Sequence, residues 1–121
     1  MIWCEFSLLF LSGSALKRIV EFQDILGPED RRRHYHVSER GTILEFVEQY
    51  ETFFQGKWFA VVRYDTAHGF AHKDMLRLRS KTLKIRLAET DYNEAMTVAM
   101  KDLKANWPKY KIEFLKKVRK P

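Results

Sequence analysis

The stretch ILEFVEQYETFFQGKWFAVVRY, residues 43–64, decides the fold that this sequence predicts. Residues 43–54 are rich in β-branched and aromatic side chains, which favour a strand. Gln55-Gly56 is typical of a two-residue hairpin turn, and residues 57–64 predict the returning strand. Because both faces of the returning strand are largely apolar, we expect it to lie inside the sheet.

Alternation along this hairpin predicts which side chains are buried. On the first strand, one face is expected to carry the apolar side chains Leu44, Phe46, Tyr50 and Phe54, and the other the polar side chains Glu45, Gln49 and Glu51. On the second strand, Trp58 is expected in the core.

Shorter elements flank the hairpin. Residues 15–26 are interpreted as a strand and residues 27–30 as a turn, and the segment of residues 31–36 predicts an exposed turn that runs into an edge strand. Downstream, residues 76–79 and 83–87 alternate apolar and basic side chains. They predict two half-buried strands whose outer faces are basic.

The period of the pattern changes after residue 90. Asp91 and Glu94 resemble a capping box. Apolar residues then recur at helical spacing, namely Tyr92, Ala95, Met96, Ala99 and Leu103. Asn106-Trp107-Pro108 predicts the start of a second helix, because proline is tolerated in a first helical turn. The fold class expected is α+β, an antiparallel β-meander sheet packed by C-terminal helices.

Composition predicts a single globular domain over residues 1–121. Residues 1–30 are interpreted as a poorly fixed or atypical N-terminal extension. Apolar residues make up 45% of the chain, enough for a core. The one cysteine, Cys4, excludes an internal disulfide and favours a reducing cytoplasm. No stretch predicts a membrane span.

Basic charge is concentrated in two parts of the chain. Residues 101–121 hold eight basic side chains against Asp102 and Glu113, and residues 63–86 hold seven against Asp65 and Asp74. Such patches attract anionic partners such as RNA. The predicted binding residues are Arg63, Lys73, Arg77, Arg79, Lys84 and Arg86, and solvated faces of ordinary strands and helices are the alternative.

A polar cluster follows the second hairpin strand in the motif RYDTAHGFAHKD, residues 63–74. Loops held by a rigid scaffold often carry functional side chains. The residues interpreted as catalytic are His68 and His72 as an acid–base pair, Tyr64 or Asp65 as the positioning group, and Asp74. A histidine base, a histidine acid and nearby cations are what a metal-independent ribonuclease needs.

Two alternatives remain for this cluster. A metal site would use the two histidines with Asp65 or Asp74, but the prediction adopted has no metal and no cofactor. A purely structural turn would have Asp65 accept a hydrogen bond from a loop amide, with Gly69 at a positive φ. In the structural turn, Arg63 would pair with a strand glutamate such as Glu51.

The motif, together with Gln49-Tyr50-Glu51, Lys57-Trp58 and the tail residues Asn106, Trp107, Tyr110 and Phe114, resembles a group of short uncharacterised prokaryotic proteins over residues 31–118. It is also similar, more loosely, to TumE-type toxins of toxin–antitoxin pairs. The corresponding positions are Tyr64, Asp65, Gly69, His72 and Asp74. This second resemblance implies a toxin-like ribonuclease and a neutralising partner protein.

The leading hypothesis is therefore a small cytoplasmic protein that acts on RNA through the His/Asp cluster. The alternatives are a non-enzymatic module that binds nucleic acid or protein, and an assembly protein that forms a homodimer through strand edges.

Overall fold

The computed structural model describes the backbone of residues 3–12, 15–76, 82–88 and 91–119, and side chains from residue 17 to residue 118 within those ranges. These residues form seven strands and one helix. The elements are β1 (Trp3–Ser12), β2 (Ala15–Gly27), β3 (Asp30–Glu39), β4 (Thr42–Phe54), β5 (Lys57–Asp65), β6 (His72–Met75), β7 (Leu83–Arg86) and α1 (Tyr92–Arg119).

The strands form one antiparallel meander in the order β1-β2-β3-β4-β5-β6-β7, and α1 packs on one face, mainly against β4 and β5. The predicted α+β class is confirmed. Residues within 1–30 contribute β1 and β2, which pair with each other and, through β2, with β3. We call the face that does not carry α1 the open face.

Two tight turns set the register of the central strands. Both residues of Arg40-Gly41 have positive φ values, 53° and 81°, as do both residues of Gln55-Gly56, 49° and 82°. Two consecutive left-handed residues give the type I′ geometry, whose twist matches that of antiparallel strands. The predicted hairpin from β4 to β5 is confirmed.

Two β-bulges shift the predicted faces. Leu44 is an extra residue on β4 opposite β3, and Val61 is an extra residue on β5 opposite β4. Each bulge reverses the alternation on one side of it. Ile43 is therefore in the core, whereas Leu44 and Trp58 are exposed by 39% and 38%. The predicted burial of Leu44 and Trp58 is wrong for this reason.

Two predictions about strands are also wrong. β3 lies between β2 and β4 and is not an edge strand, and its Arg32 and His34 are buried. β7 is not half-buried, because Leu83 and Ile85 are both exposed. The strand predicted at residues 76–79 is preceded by β6, and residues 77–79 lie outside the described residues.

The C-terminal segment is one continuous helix, so the predicted break at Pro108 is wrong. A proline inside a helix removes a hydrogen bond. Here Leu103 and Tyr110 are buried on either side of Pro108, and Trp107 packs on Tyr50 with ring centroids 5.9 Å apart. This packing holds both halves of α1 in one line. Among the described residues no helix is long and apolar enough to cross a membrane.

Candidate functional site

The loop after β5 is a compact polar turn. The Asp65 Oδ1 atom accepts a hydrogen bond from the Ala67 amide at 3.1 Å, and the Gly69 amide donates to the Thr66 carbonyl oxygen at 3.1 Å. Gly69 has a φ of 83°, a conformation that favours glycine. The hydrogen-bonded turn expected from the sequence is confirmed.

Antiparallel pairing brings Asp65, His72 and Asp74 together. Asp65 lies opposite His72, and Asp74 lies two pairs further along β6, opposite Arg63 and on the same face. The His72 Nε2 atom is 2.9 Å from Asp65 Oδ1 and 3.8 Å from Asp74 Oδ2. All three residues are buried, and they face away from α1. We call them the Asp65–His72–Asp74 cluster.

His68 is the solvent-exposed member of the predicted histidine pair. Its ring centroid lies 5.3 Å from that of His72. His72 is only 3% exposed, and its Nδ1 atom lies 3.3 Å from the Phe70 carbonyl oxygen. The two histidines do come together, and of the pair only His68 is exposed to solvent.

Three of the predicted binding residues surround this cluster. The Arg63 Nε atom donates to Asp65 Oδ2 at 2.6 Å, so the predicted pairing of Arg63 with Glu51 is wrong. The Lys84 Nζ atom lies 3.5 Å from Asp74 Oδ1, and the Arg86 guanidinium lies 4.5 Å from the ring centroid of Phe70. Arg77 and Arg79, also predicted to bind, lie outside the described residues.

Tyr64 and Lys73 point to the opposite side of the sheet, because side chains alternate along β5 and β6. The Tyr64 and Tyr110 hydroxyls each donate to Asp102 Oδ2 at 2.6 Å, and Lys73 Nζ donates to the Tyr110 hydroxyl at 2.6 Å. We call these four residues the helix-docking network. Neither the catalytic role predicted for Tyr64 nor the phosphate contact predicted for Lys73 fits this placement.

Charge in the helix-docking network is concentrated on one carboxylate. Burial would raise the pKa of Asp102, but hydrogen bonds from Tyr110, Tyr64 and Asn106 and the charge of Lys73 lower it overall. Burial, together with this carboxylate, raises the pKa of both tyrosine hydroxyls. Asp102 is therefore ionised and both tyrosines are neutral donors at pH 7, which fixes α1 to the sheet.

A groove of about 470 Å³ crosses the open face. Phe22 and His34 also line it, but most of its lining residues form two rows of paired residues on β2, β3, β4 and β5, namely Glu21, Tyr35 and Val47, and Gln23, Arg33, Gln49 and Arg63. Arg63 reaches both sites, since its Nη1 atom donates to Gln49 Oε1 at 3.4 Å while Nε contacts the cluster. The groove and the cluster are therefore adjacent.

An exposed aromatic platform lies beyond the groove, towards the turn between β4 and β5. The Arg31 guanidinium sits 3.9 Å from the ring centroid of Trp58, and Phe53 meets the same indole at a centroid distance of 5.4 Å. Arg31 also donates to Glu51 at 2.6 Å.

Sequence reasoning missed a buried network on the helix side of the sheet. Arg32 Nη1 donates to Glu48 Oε2 at 2.6 Å, and the other oxygen of Glu48 contacts His34 Nδ1. His34 Nε2 lies 2.6 Å from His36 Nδ1. Burial, with the charges of His34 and Arg18, lowers the pKa of His36 to about 4. The position of Glu48, midway between Phe46 and Tyr50 on one strand face, was the available signal.

The fold and the site together define a small α+β protein, a meander sheet with one docked helix and a polar cluster on its open face. The chain belongs to the family described as a domain of unknown function, DUF7718, whose model matches residues 17–120. This agrees with the predicted membership of an uncharacterised family. No curated protein and no solved structure matches the chain.

Proposed function

We propose that the open face of the sheet binds single-stranded RNA. The observation that carries this proposal is the continuity of the groove with the Asp65–His72–Asp74 cluster through Arg63. A strand of nucleotides laid along the open face would meet cations, amides and aromatic rings in turn. Single-stranded nucleic acids are bound by this combination of backbone cations and stacking platforms.

Several side chains on the open face have a chemical counterpart in RNA. The side chains of Arg33 and Arg63 are 47% and 42% exposed, so their guanidinium groups have donors left for phosphate oxygens. Gln23 and Glu21 offer hydrogen-bonding groups to base edges. Trp58 is 38% exposed and holds the Arg31 guanidinium against its ring, so a base would stack on this pair of side chains.

Replacing Arg33 with alanine tests the groove. The only ion pair described for Arg33 is to Glu51 at 3.7 Å, so its removal costs little stability. We expect binding of a fluorescently labelled single-stranded RNA, measured by anisotropy, to weaken by about 1–3 kcal/mol. The slope of log Kd against the logarithm of the salt concentration should fall by about one. We expect Trp58→Ala to weaken binding by a similar amount through lost stacking.

Lys101→Ala is the matched control, because Lys101 is exposed on α1, on the other side of the sheet. It also removes one positive charge and should leave the affinity unchanged. A loss of affinity equal to that of Arg33→Ala would mean that general charge, or the helix, binds the RNA.

RNA cleavage is the second candidate function. The observation that favours it is the exposed His68 ring beside His72 and the carboxylates. His68 would take the proton of a ribose 2′-hydroxyl, whose oxygen attacks the adjacent phosphorus. The 5′-oxygen would leave with a proton from water, and a 2′,3′-cyclic phosphate would remain. The looser resemblance of the motif to TumE-type toxins would imply this reaction and a neutralising partner protein.

His68→Ala separates cleavage from binding. The loss of a general base costs about 10²–10⁴-fold in rate. We therefore expect this variant to bind RNA with wild-type affinity but to cleave it at least about a hundredfold more slowly in a single-turnover assay with end-labelled RNA. His36→Ala, which changes a histidine on the helix side of the sheet, should leave the rate unchanged. Intact RNA after incubation with the wild-type protein would leave the chain a binding module.

A further inference from the structure

We infer that the Asp65–His72–Asp74 cluster binds one divalent transition-metal ion through His72 Nε2, Asp65 Oδ1 and Asp74 Oδ2. One potential ligand atom from each residue lies within 4.8 Å of the others. The inference uses the geometry of the cluster alone and does not depend on RNA binding or cleavage.

The orientation of His72 is the first argument. Its Nδ1 atom lies 3.3 Å from the Phe70 carbonyl oxygen, so in the tautomer with the proton on Nδ1 the Nε2 lone pair faces the two aspartates. Histidine ligands of metals are commonly held by this hydrogen bond, because it fixes the tautomer and the ring. In that tautomer the lone pair faces two carboxylate oxygens, 2.9 Å and 3.8 Å away, and a cation shared by the three atoms would take the place of a proton on Nε2.

The second argument is that the two oxygens of each carboxylate have different partners. Asp65 Oδ2 contacts Arg63, and Asp74 Oδ1 contacts Lys84. The remaining oxygen of each carboxylate is turned towards His72 Nε2. Asp65 Oδ1 also accepts the Ala67 amide, and it keeps a second lone pair. Each of the three residues therefore has one ligand atom available for a shared metal ion.

The distances in the cluster are near those that a small metal ion needs. Metal–ligand bonds of about 2.1 Å place neighbouring ligand atoms roughly 3.0–3.4 Å apart in octahedral or tetrahedral geometry. The 2.9 Å between His72 Nε2 and Asp65 Oδ1 is already close to this spacing, and the 3.8 Å to Asp74 Oδ2 would shorten on binding. One imidazole and two carboxylates suit Zn²⁺, Mn²⁺ or Fe²⁺, whereas Mg²⁺ prefers oxygen ligands alone.

Direct metal titration tests the inference. The full chain, stripped with a chelator, is titrated with Zn²⁺, Mn²⁺ or Mg²⁺ in separate calorimetric experiments, and its metal content is measured after gel filtration. We expect one Zn²⁺ or Mn²⁺ per chain and weaker binding of Mg²⁺. Loss of a supporting group around a metal costs about 10–100-fold in affinity, so His72→Gln and Asp74→Asn should each cost at least about tenfold.

Two further measurements control for misfolded variants and for adventitious metal binding. His36→Gln removes a histidine outside the cluster and should leave the affinity unchanged. In the wild-type chain, Mn²⁺ should broaden the backbone NMR signals of Thr66 and Ala71 before those of β2 or α1. The inference is overturned if neither Zn²⁺ nor Mn²⁺ binds, if both cluster variants bind like the wild type, or if the broadening centres elsewhere. In that case a proton on His72 Nε2, shared with the two carboxylates, would take the place of the metal ion.

Discussion

Glu48→Ala is expected to lower the free energy of unfolding by about 3–5 kcal/mol, because it leaves a buried cation without its main partner. Glu48 is fully buried, and its two oxygens contact Arg32 and His34. After its removal, Asp24, at 3.5 Å, would be the remaining ion-pair partner of the Arg32 guanidinium among the described residues. Arg32 Nε already lacks a hydrogen-bond partner among the described residues. Equilibrium unfolding in urea measures the difference.

Glu45→Ala is the control for this prediction. Glu45 is exposed on the same strand and its carboxylate accepts the Tyr35 hydroxyl at 2.9 Å, so its loss should cost no more than about 1 kcal/mol. The double variant Arg32→Met/Glu48→Leu should recover most of the stability lost in Glu48→Ala, because it removes both charges and retains volume. Equal midpoints for Glu48→Ala and Glu45→Ala would contradict this account of the buried network.

Asp102→Asn should destabilise the protein by about 2–3 kcal/mol at pH 7, because hydrogen bonds to a charged acceptor are stronger than those to a neutral one. The substitution preserves shape but removes the charge that Tyr64, Tyr110 and Lys73 share. The helix would remain formed but its docking on β5 would weaken. Unfolding by urea at pH 7 gives the difference.

The same substitution has a defined pH dependence. The pKa of Asp102 is lowered in the folded protein. Its stabilisation is therefore complete well above the ordinary aspartate pKa of about 3.9 and is lost as the pH falls through the folded value. The difference between wild type and Asp102→Asn should shrink in acid. Glu113→Gln, on an exposed position of the same helix, should have little effect at pH 7. A difference that persists undiminished in acid would contradict the role of the charge.

Local patterns in the sequence predicted the elements that local chemistry determines. The Gln55-Gly56 hairpin, the helical stripe after Asp91 and the turn around Gly69 all follow from backbone preferences of a few residues. The bulges at Leu44 and Val61 do not, because an extra residue is defined by the pairing with another strand. The burial of neighbouring side chains was mispredicted as a result.

The candidate site shows the same division. The motif of residues 63–74 marked the correct region, but a strand presents neighbouring residues to opposite faces. The side chains of Tyr64 and Lys73 therefore contact the helix, whereas those of Asp65 and His72 lie on the open face. The groove combines residues of four strands, and no single stretch of sequence contains its pattern. The proline in α1 was misleading because tertiary packing outweighed its local preference.

The meander order of the strands has a consequence for how the chain reaches its native state. Every strand neighbours the strand next to it in sequence. Pairing between strands that are consecutive in sequence favours folding by successive hairpins, since short loops lose little entropy on closure. We expect hairpins around Gln55-Gly56 and Arg40-Gly41 to nucleate the sheet, and the C-terminal helix to dock on a surface that has already assembled.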